Sequence, residues 1–323
     1  MSEGIKVAKR GTARILAPLV IAAGLIAAVH SASTSAASAS PTAAGRMSAA
    51  ARLTAAARLT AAGRLSAAAR LSAPGSSAEA APTAKAVYFH TLPPSAKLPT
   101  GAHCAKLVDA TPLPENKAAN KPYNRGTGQH VGRKFFPTTP GSDNPLAQKR
   151  LAPRINGDFA GTTIDILRWA ACKWGIDQDI VFAQAAVESW WQQDTLGDWG
   201  NDAAACPLGH KLGADGKPGL CPQSYGVLQN RYPYEHGGWP GLIKSTAMNA
   251  DAAYAIWRAC FDGYETWLNT VPRGSQYHKG DAWGCVGRWF AGRWRTPAAL
   301  GYIARVKQYL REKIWLTPNF QQG

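Results

Sequence analysis

Glu188 is the residue best suited to do chemistry in this 323-residue chain. It lies in the run Ile180–Trp191, IVFAQAAVESWW, where only Gln184 and Glu188 are strongly polar. A helix that is apolar on nearly all sides is buried. A carboxylate inside such a helix is costly unless it is paired or protonated, and burial raises its pKa. A glutamate tuned toward neutrality is what a general acid needs. The other reading is a structural ion pair with Arg168 or Arg231, and this stretch alone leaves both open.

The surroundings of Glu188 are aromatic. All 12 Trp lie at or beyond Trp169. Aromatic rings stack on the apolar faces of sugars while their polar tips stay wet. Trp190, Trp191 and Trp199 bracket the acid and are the candidates to border a sugar groove. Trp169, Trp174, Trp257, Trp267 and Trp315 read as core. Asp194, Asp198 and Asp202 recur every four residues after Glu188 without the pattern of a calcium loop, and read first as a polar loop.

Glu188-Ser189 near the end of an apolar helix is followed by Ser224-Tyr225-Gly226-Val227-Leu228-Gln229. This order resembles the soluble lytic transglycosylase family, with its A-x-x-E-S-x helix and G-L-M-Q-like turn. Asn249 to Trp257 is loosely similar to that family's N-x-x-x-x-x-x-Y helix. Trp289-Phe290-Ala291-Gly292 sits where the family has Y-N-A-G, and Tyr302-Ile303-x-x-Val306 resembles its closing Y-V-x-x-V helix. The resemblance covers about 165–310. It implies a lysozyme-like fold, mainly α with a small β element. It also implies cleavage of the β-1,4 bond between N-acetylmuramic acid and N-acetylglucosamine in peptidoglycan, with a 1,6-anhydro product and no cofactor. Glu188 would be acid and then base. Ser189 and Tyr302 would flank it, and Tyr225, Gln229 and the backbone of Gly226 to Leu228 would line the glycan groove. Trp289 and Phe290 replace the family's Tyr and Asn, which removes the polar sugar contact expected there. The alternative chemistry is a hydrolytic muramidase. Glycosidases generally use two carboxylates, and Asp202 or Asp198 would be the second. A non-catalytic cell-wall glycan binder is a further alternative, which would need no acid.

The elements that must position these groups are helices. Thr162 and Asp165 read as a capping pair for a helix through Trp174, stopped by Gly175. Asp177 opens a second helix running to about Gln192. A third spans about Ala247 to Phe261, with a shorter one around Tyr264 to Leu268. Asp281 caps another through about Trp294. The last runs from Ala298 to Trp315, with Leu300, Ile303, Val306, Leu310 and Ile314 on one stripe. Any sheet is small and lies within about 194–235.

Six Cys in a chain that reads as exported suggest three disulfides, and six Cys allow 15 pairings. The pairing expected is Cys206–Cys221 across a Gly/Pro-rich loop, Cys260–Cys285 between neighbouring helices, and Cys104–Cys172. There is no CxxC or HExxH, so no metal is expected.

Four segments follow from composition. Residues 1–36 have the basic, apolar and small-residue parts of a secretory signal peptide, and the apolar run Ile15–Val29 is shorter than a bilayer span. Residues 37–81 form a low-complexity linker, within which 46–75 hold five six-residue copies that each open with Arg. A six-residue step advances about 600° around a helix, so the arginines spiral instead of lining one face. This repeat reads as a spacer or as a tether to anionic cell-envelope polymers. Residues 82–154 hold 11 of the 22 Pro and read as an irregular lead-in, with Tyr88, Phe89, Phe135 and Phe136 available for packing and Cys104 pinning it. Residues 155–323 form the compact helical domain. Of the net charge of +16, +9 belongs to residues 1–100. That distribution, with export and clustered Trp, argues against a nucleic-acid binder. The expectation is a monomeric, secreted, cell-wall-associated enzyme with no transmembrane span after signal removal.

Overall fold

The computed structural model describes residues 86–132, 134–136, 144–270 and 276–322. The signal-like segment and the arginine repeat lie outside them. The helices are α1 Gly101–Asp109, α2 Pro145–Arg150, α3 Thr163–Trp174, α4 Gln178–Ser189, α5 Tyr232–Glu235, α6 Gly241–Lys244, α7 Thr246–Phe261, α8 Ala282–Ala291, α9 Pro297–Glu312 and α10 Pro318–Gln322. Between α4 and α5 lies a three-stranded antiparallel sheet of β1 Leu196–Gly197, β2 Ser224–Tyr225 and β3 Asn230–Arg231. The class is thus mainly α with a small sheet in the expected interval.

The centre is built from α3, α4 and α7. Every residue of α7 is buried. Around this centre α9 packs on both α4 and α8. Local chemistry sets the helix ends. Thr162 caps α3 by accepting the Asp165 N–H at 3.2 Å, and Gly175 ends it with φ of 57°. That left-handed turn suits glycine, and any Cβ there would strike Leu92 at 2.9 Å. Asp165 does not return the cap. Its carboxylate accepts the Leu113 N–H at 3.0 Å and pairs with Arg168 at 2.9 Å.

The second helix is shorter than its pattern suggested. It stops at Ser189, not Gln192, because Trp190 and Trp191 adopt φ of 59° and 63°. Two bulky residues in the left-handed region are strained and need compensation. The Trp191 indole donates to Phe182 O at 2.9 Å, and its ring packs edge-on to Phe320. Asn120 then donates to Trp191 O at 2.6 Å and accepts the Gln193 N–H at 2.8 Å. Other ends also shift. Gly292, with φ of 58°, ends α8 before Trp294. Lys313, with φ of 45°, ends α9 before Trp315. The stretch expected near Tyr264–Leu268 is a 3-10 turn, Thr266–Asn269. Leu300 is 46% exposed and leaves the buried stripe, while Tyr302 joins it. Ile303 and Val306 of the expected stripe are buried, and Leu310 and Ile314 pack against the core.

The proline-rich stretch before residue 155 is more regular than its composition implied, since it contains α1 with Thr100 as its cap. Phe89, Phe135 and Phe136 are buried in the same hydrophobic cluster as α3 and α7, whereas Tyr88 is 38% exposed. Buried charge ties down the start of this stretch and the residues that follow it. Asp251 of α7 accepts the N–H groups of Asn156 and Gly157, each at 2.9 Å, and pairs with Lys173 at 2.7 Å. Arg258 donates to Pro93 O at 2.6 Å and pairs with Asp262 at 2.8 Å. Disulfides join Cys104 to Cys172, Cys206 to Cys221 and Cys260 to Cys285. None of the described helices is long and apolar enough to cross a membrane.

Candidate active site

Glu188 occupies the last turn of α4 and is only partly exposed. Its nearest polar partner comes from α9, where the Tyr302 hydroxyl donates to Glu188 Oε1. Burial pushes the carboxyl up to about 8. Hydrogen bonds from Tyr302 and from Trp289 of α8 act against that rise, while the negative charge of Asp198 adds to it. Neither arginine weighed above is its partner. Arg168 serves Asp165, and Arg231 reaches Gln223 at 2.7 Å and Asp198 at 3.8 Å. The result is an acid that is protonated at neutral pH and held by neutral donors.

Tyr302 is suited to that role because burial and the adjacent Glu188 push its own pKa far above the usual range. It therefore stays a donor. Tyr254 of α7 is buried nearby, and its hydroxyl is spent on Val181 O at 2.9 Å.

Beside α4 runs the turn that joins β2 to β3. Gly226 takes φ of 80°, and a Cβ there would collide with the Asn249 amide. The turn is held from below. Ser189 donates to Val227 O at 2.9 Å. Gln193 Oε1 accepts the Val227 N–H at 3.3 Å. Asn249 accepts the Leu228 N–H and donates to Tyr225 O and Leu242 O, all at 2.9 Å. Several groups expected to line the groove are therefore internal. Tyr225 and Leu228 are buried, and the Tyr225 hydroxyl donates to Pro222 O at 2.9 Å. Ser189 is buried and joins the helix to the turn. Trp191 has no exposed surface and packs in the core. Trp191 and the side chains of Tyr225 and Leu228 are corrections to the expected glycan contacts, and Ser189 braces the turn beside Glu188. Trp190, half-buried, packs on Tyr309 and Phe320.

The remaining candidates lie nearer the surface. Gln229, with φ of 51°, turns its amide inward to Thr195 O at 3.1 Å and Gly226 O at 2.9 Å. Trp199 is partly exposed, with the Lys217 ammonium 4.0 Å from its ring centre. Asp198 is about half exposed, accepts the Ser224 hydroxyl at 2.5 Å, and acts electrostatically on Glu188. Asp202 is exposed and caps the short turn Ala203–Ala205. Asp194 is also exposed. Of the candidate second carboxylates, Asp198 is the one brought into the field of Glu188. Another buried acid, Glu235, is pushed up to about 7 by burial, and it accepts the Arg231 N–H at 2.7 Å. No group of three or more His, Cys, Asp or Glu that could hold a metal occurs among the described residues.

Sequence reasoning did not anticipate the parts played by Trp289, Asn249, Gln193 and Asn120. Trp289 stood in the quoted motif, but its indole N–H could be aimed at Glu188 only by the packing of α8 on α9. A buried amide such as Gln193 leaves no sequence signal. Replacing Asn249 with Ala is expected to cost about 2–3 kcal/mol, because the buried Leu228 N–H and Tyr225 O lose their partner, while Leu242 O keeps Gln193. Urea unfolding measures this, and a loss under about 0.5 kcal/mol would show that the turn does not depend on Asn249.

No family model, curated protein or solved structure matches the chain. The function therefore rests on the site itself.

Proposed function

We propose that the chain is a secreted lytic transglycosylase of peptidoglycan with a lysozyme-like fold. The observation that carries this reading is Glu188, a partly exposed carboxyl at the end of an apolar helix, raised to about 8 and held by Tyr302 without an ion pair. At neutral pH it holds a proton to give to the bridging oxygen of a β-1,4 glycosidic bond. The C1–O bond to N-acetylglucosamine breaks, and that sugar leaves with the proton. The ionised Glu188 then takes the proton of the muramyl 6-hydroxyl as its oxygen bonds to C1. The product is the 1,6-anhydro sugar, the acid is restored, and no water is consumed. The ordered motifs from Glu188 to Val306 support the same assignment.

Three disulfides and the signal-like N-terminus support export. The basic repeat suits residence among anionic cell-envelope polymers. The chain would act as a monomer.

A hydrolytic muramidase is the second reading, favoured by one observation: the charge of Asp198 reaches Glu188 from a partly exposed position. There Asp198 would activate water or steady the positive charge that develops on the sugar. Mass spectrometry of the fragments released from purified peptidoglycan separates the two. Anhydro ends, lighter by one water, are expected. Reducing ends would overturn the transglycosylase in favour of the muramidase.

A further inference from the structure

Phe290 follows Trp289 near the end of α8 and is 40% exposed. Its ring lies parallel to that of Tyr302, with centroids 4.8 Å apart and an interplanar angle of 1°. Tyr302 is buried and donates its hydroxyl to Glu188. Phe290 is thus a partly exposed aromatic ring backed by a fixed one, stacked directly on the residue that holds the acid. An isolated exposed apolar side chain needs no explanation. A flat, backed ring beside a glycosidic acid has a specific use. In β-1,4-linked glucosamine units the ring substituents are equatorial, so both ring faces present axial C–H groups. Such a face is apolar and flat and matches an aromatic platform.

We propose that Phe290 is a sugar-stacking residue beside Glu188, which binds a β-1,4-linked glucosamine ring through its C–H face whatever substituent its nitrogen carries. The inference rests on the glycan-cleaving reading above. A phenyl ring has no hydrogen-bonding group, so it reads the ring face and not the acetamide. The C–H face is the same in an N-acetylated and in an N-deacetylated sugar. This is a different recognition from the polar contact that an Asn would make at the same position.

The test is calorimetric titration of soluble, uncrosslinked glycan strands into Glu188→Gln protein, with and without Phe290→Ala or Phe290→Trp. Strands are used N-acetylated and chemically N-deacetylated. Phe290→Ala is expected to weaken binding about tenfold on both strands, and Phe290→Trp to stay within about threefold of the parent. Kinetics of Phe290→Ala in the active enzyme should show the loss in KM, with the alkaline fall in kcat unmoved. Binding within twofold of the parent overturns the proposal. So does a loss in kcat with a displaced pH profile, since Phe290 would then only steady Tyr302. A loss confined to N-acetylated strands overturns the insensitivity to the nitrogen substituent. Far-ultraviolet circular dichroism confirms that each variant is folded. If the parent binds no strand and the active enzyme releases nothing from peptidoglycan, the glycan-cleaving reading falls, an outcome distinct from normal cleavage that ignores Phe290.

Discussion

Glu188→Gln is expected to reduce release of soluble fragments from peptidoglycan by about 10³-fold, the usual scale of a general acid–base group. The amide matches the carboxyl in shape, so Tyr302 keeps an oxygen to donate to, but no proton can be delivered to the bridging oxygen. The unaltered enzyme should lose kcat as pH rises through about 8, where Glu188 ionises. Full activity in Glu188→Gln would move the site elsewhere. The same variant has a second signature. A carboxyl raised from 4.5 to about 8 binds its proton more tightly in the folded state than in the unfolded chain. Stability from that proton is complete below about 4.5 and is lost as pH climbs toward 8 and beyond. Gln carries no such dependence. Thermal unfolding of Glu188→Gln relative to the parent should therefore improve between pH 4 and pH 9. The gain is on the order of 1–2 kcal/mol, since the carboxyl keeps an opening to water. A relative stability that stays flat with pH would mean that burial does not raise Glu188.

Removing the Cys104–Cys172 disulfide by a double Ala substitution is expected to cost about 4 kcal/mol, the largest stability effect of the three bridges. Its ends are 68 residues apart, against 15 for Cys206–Cys221 and 25 for Cys260–Cys285. A longer closed loop removes more freedom from the unfolded chain. This bridge also joins α1 to α3, and so fastens the proline-rich stretch to the centre. Losing it should loosen Asn120, whose hydrogen bonds hold the backbone at Trp191 and Gln193 just past Glu188. Activity should fall along with stability. Urea unfolding of the variant and the parent measures the cost. A loss below about 1 kcal/mol would show that Arg258 and the packing of Phe89, Phe135 and Phe136 hold the stretch without the bridge.

Much of the fold was legible wherever a signal is local. Thr162, Asp177 and Asp281 are short polar side chains directly before apolar periodicity, and each caps the helix expected of it. Gly175 stops its helix for the stated reason. The sheet lies where no helical period occurs. What could not be read was whatever depends on a partner distant in sequence. Trp190 and Trp191 look like a continuation of their helix, yet Phe320 and Asn120 hold them in the left-handed turn. Trp191 reads as a groove residue because its type suits sugars, and Tyr225 and Leu228 because their motif resembles one that lines a groove; all three side chains are core because of what surrounds them.

The sequence alone determined that one carboxylate sits in a helix too apolar to tolerate it as an ordinary surface charge, because burial of that run follows from its composition. It could not decide whether an arginine neutralises that carboxylate, since either pairing depends on where chains far apart in sequence come to rest. The tertiary structure made that choice. It sends Arg168 to Asp165 and Arg231 toward Asp198. It brings Tyr302 and Trp289 to Glu188 from helices about 100 residues away, so that burial without a counter-charge leaves the proton in place.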